Sequence, residues 1–210
     1  MRPGRTILTA LLLCTPAIAE DPVLHVGSNS FTESGILGDM LQQLAQTRGY
    51  ETEHERELGG TRILWNSLLA GELDAYVEYT GTIAQEILGN EGMIDEAAMR
   101  ARVEEHGLRM TRPLGFNNTY AIGVTSHVAE RRGLETISDL VAHPELVLGF
   151  SNEFMDRGDG WPGLRMHYQL PHQDVSGLEH ALAYRALEAG QLDATDFYST
   201  DAEIDFYGFV

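Results

Sequence analysis

The sequence predicts a mixed α/β fold made of two similar halves. Three observations carry this: apolar runs of strand length alternate with stretches of helical periodicity, glycines punctuate the junctions, and one junction occurs twice. The repeated junction is Ala70-Gly71-Glu72-Leu73-Asp74-Ala75 and Ala189-Gly190-Gln191-Leu192-Asp193-Ala194, and the same offset superposes Tyr79 on Tyr198. Each copy reads as a helix end, a glycine stop, a strand and a tyrosine just beyond it. Ligands of parallel α/β sheets gather at the carboxyl ends of strands, so the two tyrosines suggest two lobes facing one cleft. Chance recurrence of a common helix-to-strand junction is the competing reading.

In chain order, Val23 to Gly27 is a strand, and Ile36, Leu37, Met40, Leu41 and Leu44 have helical spacing in a helix entered through Thr32 and Glu33. Gly59-Gly60-Thr61 opens a second helix with Ile63, Leu64, Leu68 and Leu69 inward; Gly71 closes it, and Leu73 to Tyr79 reads as a strand. Asp95 to His106 is helical and Tyr120 to Val124 a strand. Short helices follow near Val128 and Leu140, then a strand at Leu146 to Phe150 and a loop from Ser151 to Gly163 rich in Asn, Asp, Gly and Pro.

The 210 residues carry 14 basic and 32 acidic side chains, a net charge of −18, and every basic residue is arginine. Such a field repels nucleic acid, and no site here can use a lysine ammonium. Arg2 and Arg5, the apolar Ile7 to Leu13 and Ala17-Ile18-Ala19 read as a signal peptide over residues 1–19, so the chain is expected to be exported to the periplasm. The only cysteine, Cys14, lies inside that segment; Leu13 before it fits a lipid-attachment box poorly, and no lipid anchor is expected. After cleavage there is no thiol chemistry, no disulfide and no apolar run of bilayer length.

Catalytic signatures are thin: G-x-S-x-G, H-E-x-x-H and G-x-x-x-x-G-K do not occur. His167, His172 and His180 lack metal-ligand spacing and read as surface or capping residues, so no metal or cofactor is expected. Asp74 with Glu78, and Asp193 with Asp196, could supply the carboxylate pairs of a glycosidase, though structural hydrogen bonding explains them as well. Arg157-Gly158-Asp159 spells an adhesion tripeptide too short to carry weight. Tyr79, Tyr120 and Tyr198 instead fall where strands meet polar turns, Tyr120 after Asn117-Asn118-Thr119. Tyrosine faces attract a quaternary ammonium ion, which needs no hydrogen bond; ordinary core tyrosines are the alternative.

Four separated segments then carry a resemblance. Gly27-Ser28-Asn29-Ser30-Phe31-Thr32-Glu33, Leu58 to Trp65, Asp74 to Thr82 and Asp193 to Glu203 resemble the substrate-binding proteins of osmoprotectant ABC importers, the binders of glycine betaine, carnitine and choline. The resemblance implies a two-lobed periplasmic binding protein of the type II-like clamshell class, each lobe a sheet flanked by helices. It implies lobe 1 over residues 20–120, lobe 2 over 121–205 and the start of a return crossover at 206–210, with the rest of the return beyond the chain. By position, Tyr79, Tyr120 and Tyr198 become walls of an aromatic box, with Thr82, Arg157, Asn29 and Asn118 completing the site. Asn29 stands where the family usually has lysine, and Val77 where it usually has proline. The implied partners are a membrane permease and its ATPase, with the binding protein itself a monomer and not an enzyme. An exported α/β hydrolase using its Asp and Glu pairs remains the alternative.

Overall fold

The structure is a computed structural model that describes residues 22–89 and 94–210; the signal-peptide reading over 1–19 lies outside them. The first half is a three-stranded parallel sheet of order β2-β1-β3, built from β1 (Leu24–Asn29), β2 (Thr52–Gly59) and β3 (Ala75–Tyr76). Helix α1 (Thr32–Gln46) links β1 to β2, and α2 (Thr61–Ala70) links β2 to β3. They cover opposite faces: His54 of β2 turns toward α1, where its Nδ1 meets Asp39 Oδ1 at 2.8 Å, while Leu64 of α2 packs over Gly27. With β1 between its two successors, the strand order reverses at the carboxyl ends of β1 and β3, which opens a crevice there.

β2 is one of the elements the sequence does not reveal. Its residues Thr-Glu-His-Glu-Arg-Glu-Leu-Gly are mostly exposed, as suits an edge strand blunted by charge. Its inward anchor is polar: the His54 side chain is 3% exposed and held between Asp39 and Ser28 Oγ. A buried imidazole satisfied at both nitrogens replaces the apolar residue that periodicity searches for.

The expected strand Leu73–Tyr79 is much shorter, pairing only at Ala75 and Tyr76. Beyond it the chain leaves the sheet and turns into α3 (Thr80–Thr82), continued by a π-helical turn at Ile83–Ile87. That departure carries Glu78, Tyr79 and Thr82 to the crevice. Helix α4 (Glu96–Glu105) follows, with Met99 and Val103 buried against Ile83 and Ala84.

The second half contains β4 (Tyr120–Val124), antiparallel to β7 (Ala194–Tyr198), and β5 (Gly149–Ser151), parallel to β6 (Ser176–Leu178). A parallel bridge from Leu148 to Ala194 ties β5 to β7, which gives the order β6-β5-β7-β4. Its first three strands mirror β2-β1-β3. Helix α5 (Ser126–Arg132) and a 3₁₀ segment (Ile137–Ala142) connect β4 to β5; α6 (Asn152–Asp156) and α7 (Trp161–Tyr168) lead to β6, α8 (His180–Glu188) to β7, and α9 (Ala202–Tyr207) follows. The expected Ser151–Gly163 loop is therefore largely helical, because Ser151 Oγ caps α6 by accepting from Phe154 N and Pro162 sits in the first turn of α7. The core of this half gathers Val124, Leu148, Phe150, Phe154 and Trp161, and the chain closes with Val210 exchanging both backbone hydrogen bonds with Val124.

The repeated junction has a physical basis in both halves. Gly71 and Gly190 take φ of +75° and +67°, left-handed values that end α2 and the turn after α8. Asp74 then bonds twice to β1, its N–H to His25 O and its carboxylate from His25 N, both at 2.8 Å. Asp193 repeats this on Val147, at 2.7 and 2.9 Å. The two aspartates are strand clamps, and neither is half of an acid–base pair.

Candidate functional site

A cleft of about 690 Å³ lies between the carboxyl ends of the two sheets. Residues from every expected position line it: Asn29 from the end of β1, Tyr79 and Thr82 from the segment after β3, Asn118 and Tyr120 from the start of β4, Arg157 after α6, and Tyr198 from the end of β7. Strand ends converge because the sheets face one another at their topological switch points, so residues far apart in sequence meet there.

The aromatic rings form one connected group. Tyr198 lies 5.0 Å from Tyr120 between centroids, and their hydroxyls are 3.3 Å apart. Phe31, just past β1, reaches across the cleft to within 4.6 Å of Tyr198 and stands 6.1 Å from Tyr79. Phe31 belongs to the first sequence motif, but its position between two expected walls is tertiary information. Burial is the main cause holding all three tyrosine hydroxyls well above the usual phenol range, so they stay neutral and the rings present uncharged π faces.

Acidic side chains orient these rings. Glu33, in the first turn of α1, accepts from the Tyr79 hydroxyl and from Asn118 Nδ2 at 2.9 Å. Asp196 is fully buried and accepts from both the N–H and the hydroxyl of Ser151, at 2.5 and 2.6 Å, which locks β7 to β5 beneath the cleft. Asp201 accepts from Tyr198 N at 2.8 Å. His180, like the buried His172, departs from its sequence reading as a surface or capping residue: its side chain is 10% exposed, its ring lies 4.5 Å from that of Tyr198, and Nε2 is 3.1 Å from Asp201 Oδ2. It became invisible to sequence reasoning because nothing local marks a helix-start histidine as the backing of an aromatic wall.

Arg157 is buried, and its fork is already engaged: Nε and Nη2 donate to the two oxygens of Asp159 at 2.8 and 2.7 Å, while Nη1 donates across the cleft to Thr82 Oγ1 at 3.1 Å. Its guanidinium carbon lies 5.5 Å from the Tyr120 centroid, a cation–π arrangement. Burial opposes the guanidinium charge, but the Asp159 hydrogen bonds, with Tyr120 and Glu153, outweigh it and raise its pKa. A second cross-cleft contact joins Glu153 Oε1 to Thr61 N, the first turn of α2, at 3.2 Å. A side-chain carbon at Gly60 would meet the Glu153 carboxylate, so a larger residue there would have to displace that carboxylate from Thr61 N.

The acidic side chains lining the cleft, Glu78, Glu153, Asp156, Asp159 and Glu179, face one guanidinium among the described residues. The net field is negative and the walls are aromatic, an arrangement suited to holding an organic cation. One group of described residues could ligate a metal, His25 with Glu53 and Glu55, whose ligand atoms lie within 4.8 Å of one another, but it does not line the cleft. No helix among the described residues is long and apolar enough to cross a membrane.

Comparison with known proteins agrees with this geometry. The chain is 31% identical over 193 residues to the carnitine transport binding protein OpuCC of Listeria monocytogenes, covering 88% of this chain and 63% of that protein. It is 30% identical over 203 residues to the ergothioneine transport permease/ergothioneine binding protein EgtU of Helicobacter pylori, covering 94% of this chain and 37% of that one. The chain thus spans about two fifths to two thirds of the length of these relatives. A crystal structure of a glycine betaine/carnitine/choline ABC transporter protein superposes with a TM-score of 0.61 at 28% identity, over 90% of this chain and 73% of the other. The glycine betaine, L-proline-binding protein ProX of Borrelia burgdorferi shares the fold with a TM-score of 0.65 at 13% identity, over 90% and 68% of the two chains. Residues 22–210 match the profile of the substrate-binding domain of ABC-type glycine betaine transport systems, and the chain belongs to that family.

Proposed function

We propose that this chain is the periplasmic ligand-binding component of an ABC importer, exported by a cleaved signal peptide and free of a lipid anchor, that captures a small quaternary ammonium compound. The observation that carries the reading is the convergence of Phe31, Tyr79, Tyr120 and Tyr198 from both halves on one acid-lined cleft. A ring of π faces in a negative field replaces the weak hydration of a trimethylammonium group. Tyr79, Tyr120 and Tyr198 serve as walls, Asn29, Asn118 and Thr82 as polar contacts, and Arg157 acts through Thr82 and Asp159. Lobe 1 spans 20–120 and lobe 2 121–205, with 206–210 leading back toward lobe 1. The protein works as a monomer that closes around its ligand and delivers it to a membrane permease driven by an ATPase.

The strand-clamping roles of Asp74 and Asp193 and the seat of Asp196 on Ser151 remove the carboxylate pairs that a hydrolase reading needed. Titration calorimetry with choline, carnitine, glycine betaine and ergothioneine tests the function. Saturable binding of at least one, without turnover of ester or glycoside substrates, is expected; no binding by any of the four would overturn it.

A further inference from the structure

A zwitterion such as glycine betaine brings a carboxylate that must be met by donors, whereas a bare ammonium needs none. In this cleft two features able to receive a carboxylate already hold carboxylates of the chain itself. Glu153 sits on the first turn of α2, and Asp159 occupies the fork of Arg157. Glu78 adds a third carboxyl to the same lining. Its Oε1 accepts from Tyr79 N at 2.9 Å, while Oε2 is shut off from water and finds no hydrogen-bond partner among the described residues. The residue as a whole is half-buried, so the side chain borders the cleft while that oxygen points into dry surroundings. The charged and titratable groups acting on it are Tyr76 at the end of β3, Tyr79 beside it, and Arg157 and Glu153 from the opposite half.

An unpartnered, dry carboxylate oxygen is costly, and a proton removes the cost. Burial pushes the Glu78 carboxyl up to about 7; the Tyr79 N–H, Arg157 and Tyr76 pull it down, and Glu153 adds to the rise. A cation placed against Tyr79 reverses the balance by stabilising the ionised form.

We propose that Glu78 is the specificity-determining carboxyl of this cleft: it holds a proton in the unliganded protein, yields it to solvent when a quaternary ammonium cation binds, and so favours a bare cation over a zwitterion. This rests on the quaternary ammonium reading above. By linkage, a cation that expels a proton binds more tightly as pH rises. A zwitterion's own carboxylate cancels part of the field and leaves the proton in place.

Calorimetry with choline chloride and with glycine betaine, between pH 6 and 8 in buffers of different ionisation enthalpy, tests the coupling. With the carboxyl near 7, the ionised fraction rises about tenfold over that interval. Choline affinity should therefore rise about tenfold, with close to one proton released at pH 6, and glycine betaine should show a smaller rise and release. Glu78→Gln should abolish both the release and the pH dependence for choline. Choline binding with no proton release, or an unchanged pH dependence in the variant, would overturn the inference. Infrared difference spectra give a second readout on the wild-type chain: a protonated-carboxyl band at pH 6 that is absent in Glu78→Gln and diminishes with choline. Lack of that band also overturns it. Failure of the functional reading would look different, since then no quaternary amine would bind while the band in the unliganded protein persisted.

Discussion

Tyr198 is the ring on which the site turns, and replacing it with phenylalanine and with leucine separates its two capacities. It lies 4.6 Å from Phe31, 4.5 Å from His180 and 5.0 Å from Tyr120, so its face is shared by rings from both halves. Its hydroxyl has one aromatic partner, the Tyr120 hydroxyl, at a long 3.3 Å. A neutral hydrogen bond contributes roughly 0.5–1.5 kcal/mol, and this geometry belongs at the lower end, so Tyr198→Phe should cost about threefold in affinity or less. Losing a desolvated cation–π contact costs about 2 kcal/mol, so Tyr198→Leu should weaken binding about thirtyfold. Because the residue is only 8% exposed, thermal unfolding of each variant must accompany the calorimetry, to keep loss of packing apart from loss of recognition. Equal losses in both variants would assign the binding to the hydroxyl, and an unaffected leucine variant would remove Tyr198 from the site.

Arg157→Gln should weaken choline and glycine betaine binding by the same factor, since the guanidinium fork is spent on Asp159 and its free arm on Thr82; a loss confined to glycine betaine in competition titrations would show that it meets the ligand carboxylate. Asn29→Lys introduces a positive charge at the end of β1 and should move the betaine-to-choline preference toward betaine by several tenths of a kcal/mol or more, read by competition calorimetry; an unchanged ratio would make Asn29 a turn residue only. Glu78 also sets a stability profile. In the fold it keeps its proton up to about 7, whereas the unfolded chain loses it near 4.5, so its contribution is full below 4.5 and is lost as pH rises to 7. The loss is about 3 kcal/mol across that window, and Glu78→Gln should lack it; parallel urea stability curves for variant and wild type from pH 4.5 to 7 would contradict the burial argument.

The sequence by itself determined the class of fold and the outer shape of the site. Alternating periodicities and glycine stops marked α1, α2, β4 and α4, but not which apolar residues turn inward: Ile36, Met40, Leu44, Ile63 and Leu69 are exposed, and α1 buries Ser34 and Gly38 instead. The repeated Ala-Gly-x-Leu-Asp-Ala junction was legible because a left-handed glycine and a strand-clamping aspartate are local devices, and they recur wherever the same turn is made. Tyr79, Tyr120 and Tyr198 could be picked out because they sit at strand ends. What the tertiary structure decided is how these positions are used. β2 was hidden because its buried anchor is a histidine satisfied by Asp39 and Ser28, two partners supplied by other elements. Phe31 joined the aromatic group only when the two sheets met, and His180 only when α8 packed beside β7. The sequence puts Arg157 in the site, but its occupation by Asp159 and Thr82 depends on a rotamer and on a contact across the cleft. The dryness of Glu78 Oε2 is likewise a property of its surroundings, since desolvation is imposed by residues from elsewhere in the chain and leaves no mark on the neighbouring sequence.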